Sequence, residues 1–534
     1  MSDVSLITIL LCGVIFLAVL SNKFKFPFPI VLVLSGLLIS LIPGLPPISL
    51  QPDIIFLIFL PPLLYEASWN TNWFNFKAYK RPILLAAFGL VFFTTLIIGA
   101  VAHAFIPGIS WPLGFLLGAI VSPTDAVATI SITKGLQMPP RIISILEGES
   151  LVNDASGLVA YKYAIAAVMA GNFVFWQAGL NFLLVIAGGV GIGLLIGYLA
   201  FLISKRIMFD SVIQTSVTFL IPFVSYLIAE YFKVSGVLAV VSTGLYLSYR
   251  AEAIFTHQTR ITTYAVWDVI IFILNGLIFI FIGLQLKTIM VGIKMYSPGQ
   301  LVFYGVLISA VVIIARFVYV VPAALLPRAL SKKIRETEPF DYRNMIVFGW
   351  SGMRGVVSLA AALSLPLLLP DGSAFPQRNL IIYLTFCVIL STLVFLGLPL
   401  PWVIRKLKLR VPSLVAEEYE VRTIILNNTI EHLDQNIEKV KDEFRENIKK
   451  KYEYKLKRIQ KTDLPPGYFG KIKPTITPQN IFNEYSQLEV NVIGVERRSL
   501  LTMYRKGKVS EVIVRKIERE LDLEESRLTM EMHI

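Results

Sequence analysis

The chain has 534 residues, of which 55% are hydrophobic and 16% charged, with a mean hydropathy of +0.69. Soluble chains of this size carry about 25% charged residues, so an ordinary water-soluble enzyme is excluded. The net charge of +13 does not point to nucleic acid: residues 1–410 hold 27 Lys/Arg against 15 Asp/Glu in and between apolar runs, whereas 411–534 hold 22 against 21.

The first apolar run, residues 6–20, follows Asp3 and precedes Lys23 and Lys25, the reverse of a secretory signal. A bilayer crossing needs about 20 mostly apolar residues. On that criterion thirteen spans are predicted: 3–20, 27–43, 52–68, 82–105, 111–133, 141–169, 178–203, 211–231, 233–249, 265–287, 299–324, 343–370 and 378–404. Alternate loops hold 20 Lys/Arg, from Lys23 and Lys25 through Lys134, Lys333 and Arg335 to Arg410. The opposite loops hold only Lys233, Lys287, Lys294 and Arg378. The positive-inside rule then puts the N-terminus outside and the C-terminus in the cytoplasm of a plasma membrane. Two domains are expected: a membrane domain, 1–410, and a charged cytoplasmic tail, 411–534. The tail reads as helix over 416–460, broken at Pro465-Pro466-Gly467, then helix over 479–528 with a weak point at Lys506-Gly507. It is either a regulatory or dimer-forming appendage or a solvated extension.

Ionisable groups at membrane depth are expensive unless paired or wet, and each is a functional candidate. Helical rise places Glu66 of span three, Asp125 of span five, Asp154 of span six and Arg354 of span twelve roughly 17–21 Å from their span starts. Four spans therefore send charges to one depth. Span five contains Ser122-Pro123-Thr124-Asp125, a proline followed by helix-start residues, and reads as a helix broken at mid-membrane. In span six, Glu147, Ser150 and Asp154 share one helical stripe, and Glu149 and Asn153 share the next. Span twelve has three glycines in Gly349-Trp-Ser-Gly-Met-Arg354-Gly355 and is weak at its midpoint. Interrupted helices seven spans apart have opposite orientations, the pattern of an inverted-repeat transporter. Lys162 reads as an interfacial, snorkelling side chain. Arg316 has two open readings, reaching the headgroups or pairing inside the bundle.

The sign of the charges suits a small cation. Glu66, Asp125, Glu147, Glu149 and Asp154 outnumber the one obvious deep cation, Arg354, and hard cations take oxygen ligands. Cys12 and Cys387 are the only cysteines, and the four histidines are scattered, so neither a disulfide framework nor a resident metal centre is expected, and no cofactor. A proton-coupled solute symporter shares this architecture class. A channel would need no proton. An enzyme is disfavoured because no nucleophile–base pair or phosphate loop is present.

Three segments carry a resemblance to a known family. Ser122-Pro-Thr-Asp-Ala-Val-Ala128, Glu147-Gly-Glu-Ser-Leu-Val-Asn-Asp154 and Gly352-Met-Arg-Gly-Val-Val-Ser358 resemble the signature segments of the monovalent cation:proton antiporters that include the sodium/proton exchangers. The likeness covers residues 1–405. It implies an all-α membrane protein of thirteen helices in two inverted repeats, usually a homodimer, that exchanges monovalent cations for protons. It implies Asp154 as the carboxylate ligand of Na+, with Ser150, Thr124 and Glu66 completing the shell and Asn153 beside it. It implies a structural pair of Glu149 with Arg354, and Asp125 neutralising the broken helix ends. Asparagine before the aspartate, here Asn153, implies electroneutral exchange of one cation for one proton. Burial favours the neutral form of a carboxylate and a bound cation its ionised form, so the expected mechanism is competition of Na+ and H+ for one group. A potassium/proton antiporter of the same mechanism is the neighbouring reading, and a ligand of the tail stays unassigned.

Overall fold

The computed structural model describes residues 3–24, 26–40, 42, 57–71, 73–133, 136, 138–170, 175–206, 210–284, 293, 295–332, 341–409, 414–435, 442–459 and 479–532. Lys25, Lys134, Lys287, Lys294, Lys333, Arg335, Arg410 and the Pro465–Gly467 break lie outside them, as do residues 52–56 and 285–287 of two expected spans. Among the described residues the chain is all-helical, with one isolated bridge between Leu368 and Ala374. It divides into two units. The first comprises Met1–Phe209, Ile213–Ile254 and Ala265–Leu409; the second comprises Asp210–Val212, Phe255–Tyr264 and Arg410–Ile534.

The membrane helices are, in order, α1 (Asp3–Phe24), α2 (Phe28–Ser40), α3 (Leu60–Asn70), α4 (Trp73–Ala78) and α5 (Lys80–Phe105, with a π-helical turn at Leu85–Leu90). Then come α6 (Trp111–Val121), α7 (Ala126–Thr133), α8 (Pro140–Ala170), α9 (Phe175–Arg206), α10 (Ser211–Tyr231) and α11 (Gly236–Ile254). The set closes with α12 (His257–Leu284), α13 (Pro298–Leu330), α14 (Tyr342–Trp350), α15 (Val356–Leu363) and α16 (Arg378–Leu407). Among the described residues, seven helices are long and apolar enough to cross a membrane, taking α6 with α7 as one; α1 and α2 offer shorter apolar stretches.

Two boundaries differ from expectation. α12 begins at His257, eight residues before the apolar run, because Thr256 caps it: the Thr259 amide donates to Thr256 Oγ1 at 3.2 Å. The span predicted over 343–370 ends its helix at Leu363. Pro366, Pro370, Pro376 and a left-handed Gly372 (φ 81°) turn the following apolar residues into a loop. Within the first unit α2 and α12 pack backbone on backbone. A Cβ on Gly36 would stand 2.3 Å from the Ile280 carbonyl oxygen, and one on Gly283 2.3 Å from that of Val33.

In the second unit the tail forms α17 (Leu414–Gln435), α18 (Asp442–Ile459), α19 (Gln479–Arg505) and α20 (Glu511–Met532). The expected 416–460 helix is thus described as two helices, with 436–441 outside the described residues. The break after Arg505 falls at Gly507, whose φ of 68° ends a helix without strain. The tail has its own apolar interior. Val421, Ile425, Leu500, Ile513 and Ile517 form one buried cluster, and Leu426, Leu433, Ile448, Tyr452 and Val492 a second. That burial separates it from a merely solvated extension. Charged pairs flank these clusters: Lys451 with Glu489 at 2.8 Å, and Arg497 with Asp522 and Glu525 at 2.7 Å each. Arg260 of this unit also pairs with Asp522.

Candidate functional site

The site is built on two non-helical stretches that cross. α6 stops at Val121 because Pro123 has no N–H for the Ala119 carbonyl; Ser122 Oγ donates there instead, at 3.3 Å. The chain is non-helical over 122–125, and α7 starts at Ala126. α14 ends at Trp350, residues 351–355 are non-helical, and α15 starts at Val356. The Asp125 amide donates to the Met353 carbonyl at 2.8 Å, and Thr129 Oγ1 to the Ser351 carbonyl at 3.2 Å. Each interruption thereby satisfies backbone groups of the other, which the membrane interior requires.

Four half-helix ends meet here, and charged side chains match their dipoles. Arg354 Nε donates to the Val121 carbonyl at 3.1 Å, at the negative end of α6. Arg316 on α13 donates to the Phe348 carbonyl through Nη2 (3.1 Å) and Nε (3.3 Å), at the negative end of α14, and its guanidinium lies 5.0 Å from the Phe348 ring centroid. Asp125 Oδ1 accepts the Ala128 amide at 3.1 Å, at the positive end of α7. Its other oxygen lies against Gly355, at the positive end of α15, where a Cβ would stand only 1.9 Å from it. Asp125 thus serves two helix starts.

Behind this crossing runs a chain of polar contacts. Asn153 Nδ2 donates to Thr124 Oγ1 at 2.8 Å, and Thr124 Oγ1 donates to Glu149 Oε1 at 3.0 Å. Glu149, fully buried, receives Arg316 in a two-pronged pair, Nη1 to Oε1 at 2.6 Å and Nη2 to Oε2 at 3.1 Å. The expected Glu149–Arg354 pair is therefore corrected: Arg316 is the partner of Glu149. Arg354 donates through Nε and Nη1 to the backbone carbonyls of Val121 and Gly352, and its buried Nη2 has no hydrogen-bond partner among the described residues. Of the two open readings of Arg316, pairing inside the bundle holds, with 1% of the residue exposed.

A cavity of about 60 Å3 opens at the crossing. Its polar lining is Thr124, Asp125, Ser150, Asp154, Asn275 and Ser358; its apolar wall includes Leu60, Leu63, Leu64 and Ala67 of α3. Asp154, 8% exposed, faces it one turn along α8 from Ser150, whose Oγ accepts the Ala126 amide at 3.3 Å. The structure thus brings Asp154, Ser150, Thr124 and Asp125 to one cavity. Glu66 does not line it, although its helix does. Glu66 accepts a hydrogen bond from Asn70 one turn away. Asn153 is 1% exposed and lies behind Thr124 as a positioning group. Sequence reasoning missed Asn275 and Ser358, which carry no charge to mark them. Lys162, expected to snorkel alone, pairs with Glu230 of α10 at 2.8 Å. These two residues line a separate cavity of about 110 Å3.

Comparison with known proteins covers the part of the chain that holds this site. A family model described as sodium/hydrogen exchanger, transmembrane, matches residues 6–406. Over 480 residues the chain is 34% identical to the sodium, potassium, lithium and rubidium/H(+) antiporter of Bacillus pumilus, a match covering 88% of this chain and 71% of that protein. It is 29% identical over 500 residues to the low-affinity Na(+)/H(+) antiporter NhaS1 of Synechocystis, covering 92% and 90%. The fold is similar to the solved sodium proton antiporter MjNhaP1 of Methanocaldococcus jannaschii, with a TM-score of 0.60 at 21% identity over 76% of this chain and 98% of that one.

Proposed function

The chain belongs to the sodium/hydrogen exchanger family, and on that premise we propose that it is a membrane antiporter exchanging a monovalent cation for a proton at Asp154. The observation that carries the site assignment is the convergence of Asp154, Ser150, Thr124 and Asp125 on one small cavity where two interrupted helices cross. A cavity of about 60 Å3 lined by hydroxyl and carboxylate oxygens has room for a partly dehydrated ion and suits a small cation.

Burying a carboxylate favours its neutral form, and a cation held by oxygen ligands favours its ionised form. One side chain therefore carries either cargo, and an empty ionised site crosses the low-dielectric barrier poorly. The exchange is electroneutral on this reading. Asn153 adds no charge, Glu149 is neutralised by Arg316, and Asp125 is committed to two helix starts. Na+ is the primary cation. A wider range including K+ is the second reading, favoured by the similarity to the Bacillus pumilus antiporter. We further take the segments with α1, α2 and α3 to complete thirteen spans in two inverted repeats, the N-terminus to be outside, and the protein to act as a homodimer.

The test is exchange in everted membrane vesicles, read as cation-induced dequenching of a pH-gradient dye. Asp154→Asn abolishes the response to Na+, Li+ and K+ alike. Substantial residual exchange in a well-expressed variant would remove Asp154 from its role.

A further inference from the structure

Two polar groups in the cavity are unexplained by the reading above: Ser358, whose buried hydroxyl has no hydrogen-bond partner among the described residues, and Asn275. α12 is apolar from Val269 to Leu284 except at Asn275, with Gly276 and Gly283 its only other non-hydrophobic positions. Asn275 lies ten residues into the apolar run that starts at 265, about 15 Å along it and so near mid-membrane. An amide there is costly unless it finds a partner. Its carboxamide makes no hydrogen bond to any described residue. It lines the cavity, to which α3 contributes Leu60, Leu63, Leu64 and Ala67. Asn275 is thus the one polar lining residue that α3 and α12 present to the cavity, whereas Thr124, Asp125, Ser150, Asp154 and Ser358 come from the interruptions, α8 and α15.

We propose that the Asn275 side-chain oxygen is a ligand of the transported cation, replacing a water of its hydration shell in the cavity that Asp154 also lines. The proposal rests on Asp154 being the exchange site. Its chemistry separates the two cargoes. A neutral carboxamide oxygen is a hard-cation ligand, yet it holds no proton at physiological pH. Asn275 therefore strengthens cation binding and leaves proton binding at Asp154 unchanged. The contribution is larger for Li+ and Na+, which give up water at greater cost, than for K+. Asn275 acts in this way as a selectivity residue within the competition.

The experiment is a titration of Na+, Li+ and K+ in everted vesicles holding the wild type, Asn275→Leu, Asn275→Ala, Asn275→Ser and, as reference, Asp154→Asn. Asn275→Leu and Asn275→Ala raise the apparent KM for Na+ and Li+ about five- to tenfold, the worth of one neutral polar contact. They raise it less for K+, the maximal rate at saturating cation stays as in the wild type, and the proton inhibition constant extrapolated to zero cation is unchanged. Asn275→Ser, which keeps an oxygen, recovers part of the loss. Should Asn275→Leu fail to fold, Asn275→Ala decides, and cation-dependent thermal stabilisation of purified protein reads binding without transport. Wild-type KM values and cation order in Asn275→Leu or Asn275→Ala would overturn the proposal. An equal loss toward cation and proton would also overturn it, since that marks a structural role. Exchange that survives in Asp154→Asn would instead overturn the underlying site, so the two failures are distinguishable.

Discussion

Arg316 and Glu149 lie 167 residues apart and form a two-pronged ion pair at 2.6 and 3.1 Å, with each side chain 1% exposed. Arg316 also closes the negative end of α14 at Phe348, and Glu149 also holds Thr124. One pair therefore joins α13, α14, α8 and the interruption after α6.

Breaking a buried pair from one side leaves an uncompensated charge and costs about 3–5 kcal/mol. Arg316→Ala and Glu149→Ala are each expected to lower the melting temperature and the monodisperse yield sharply. The double variant Arg316→Met/Glu149→Leu should be less damaged than the two single losses combined. Strictly additive losses, measured by fluorescence-detected gel filtration after heating, would count against a coupled pair.

Arg354→Ala should behave differently. It leaves the carbonyls of Val121 and Gly352 short of a donor but strands no carboxylate. A loss of about 1–3 kcal/mol follows from unsatisfied buried acceptors, smaller than that of Arg316→Ala in the same heating assay. The reverse order of stability would restore Arg354 as the partner of Glu149.

Gly355 is the narrowest point of the crossing. A methyl group there would stand 1.9 Å from Asp125 Oδ2 and 2.8 Å from Asp125 Cγ. The obstacle is steric. Gly355→Ala should displace Asp125 from the starts of α7 and α15 and reduce exchange at least about tenfold, a misplacement effect of the kind seen at preorganised sites. Wild-type rates in vesicles would show that the crossing tolerates widening.

The tail supplies a pH dependence of its own. Burial holds the Glu496 carboxyl above the usual carboxylate range, against the opposing pull of Lys455, the Tyr452 hydroxyl (3.0 Å) and Lys451, and Glu524 adds to the rise. A carboxyl whose folded pKa is raised binds its proton more tightly when folded. Its contribution to stability is full below the unfolded value of about 4.3 and is lost as pH rises through the folded value. At neutral pH Glu496→Gln should therefore stabilise the tail. Hydrogen exchange of 442–459 and 479–505 in the full chain, corrected for intrinsic rates, should slow at pH 7.5 and change little at pH 4.5. Faster exchange at pH 7.5 would mean that the ionised form is the stabilising one.

Depth in the membrane was legible from residue order. Pro123, Gly352 and Gly355 mark the interruptions, and counting along each span brings Asp125, Asp154 and Arg354 to one level. The oil demands as much: backbone groups without water must pair within a helix, so a break is visible as proline, glycine and capping residues. Rise along a single helix is additive, and one chain suffices to compute it.

Azimuth and partnership were not legible, because they depend on how separate helices turn toward one another. Glu66 turns to Asn70, while Leu63, Leu64 and Ala67 of the same helix line the cavity. Two arginines, Arg316 and Arg354, are fully buried, and only packing chose which of them reaches Glu149. Asn275 carries no charge and stands alone in an apolar run; its place in the cavity with Asp154 exists only once α12 is packed with α3 and the crossing. The sequence by itself thus determined where the helices around the site are interrupted, through local backbone chemistry. The tertiary structure decided which of them meet, since contacts between residues more than a hundred positions apart are set by helix packing and not by spacing.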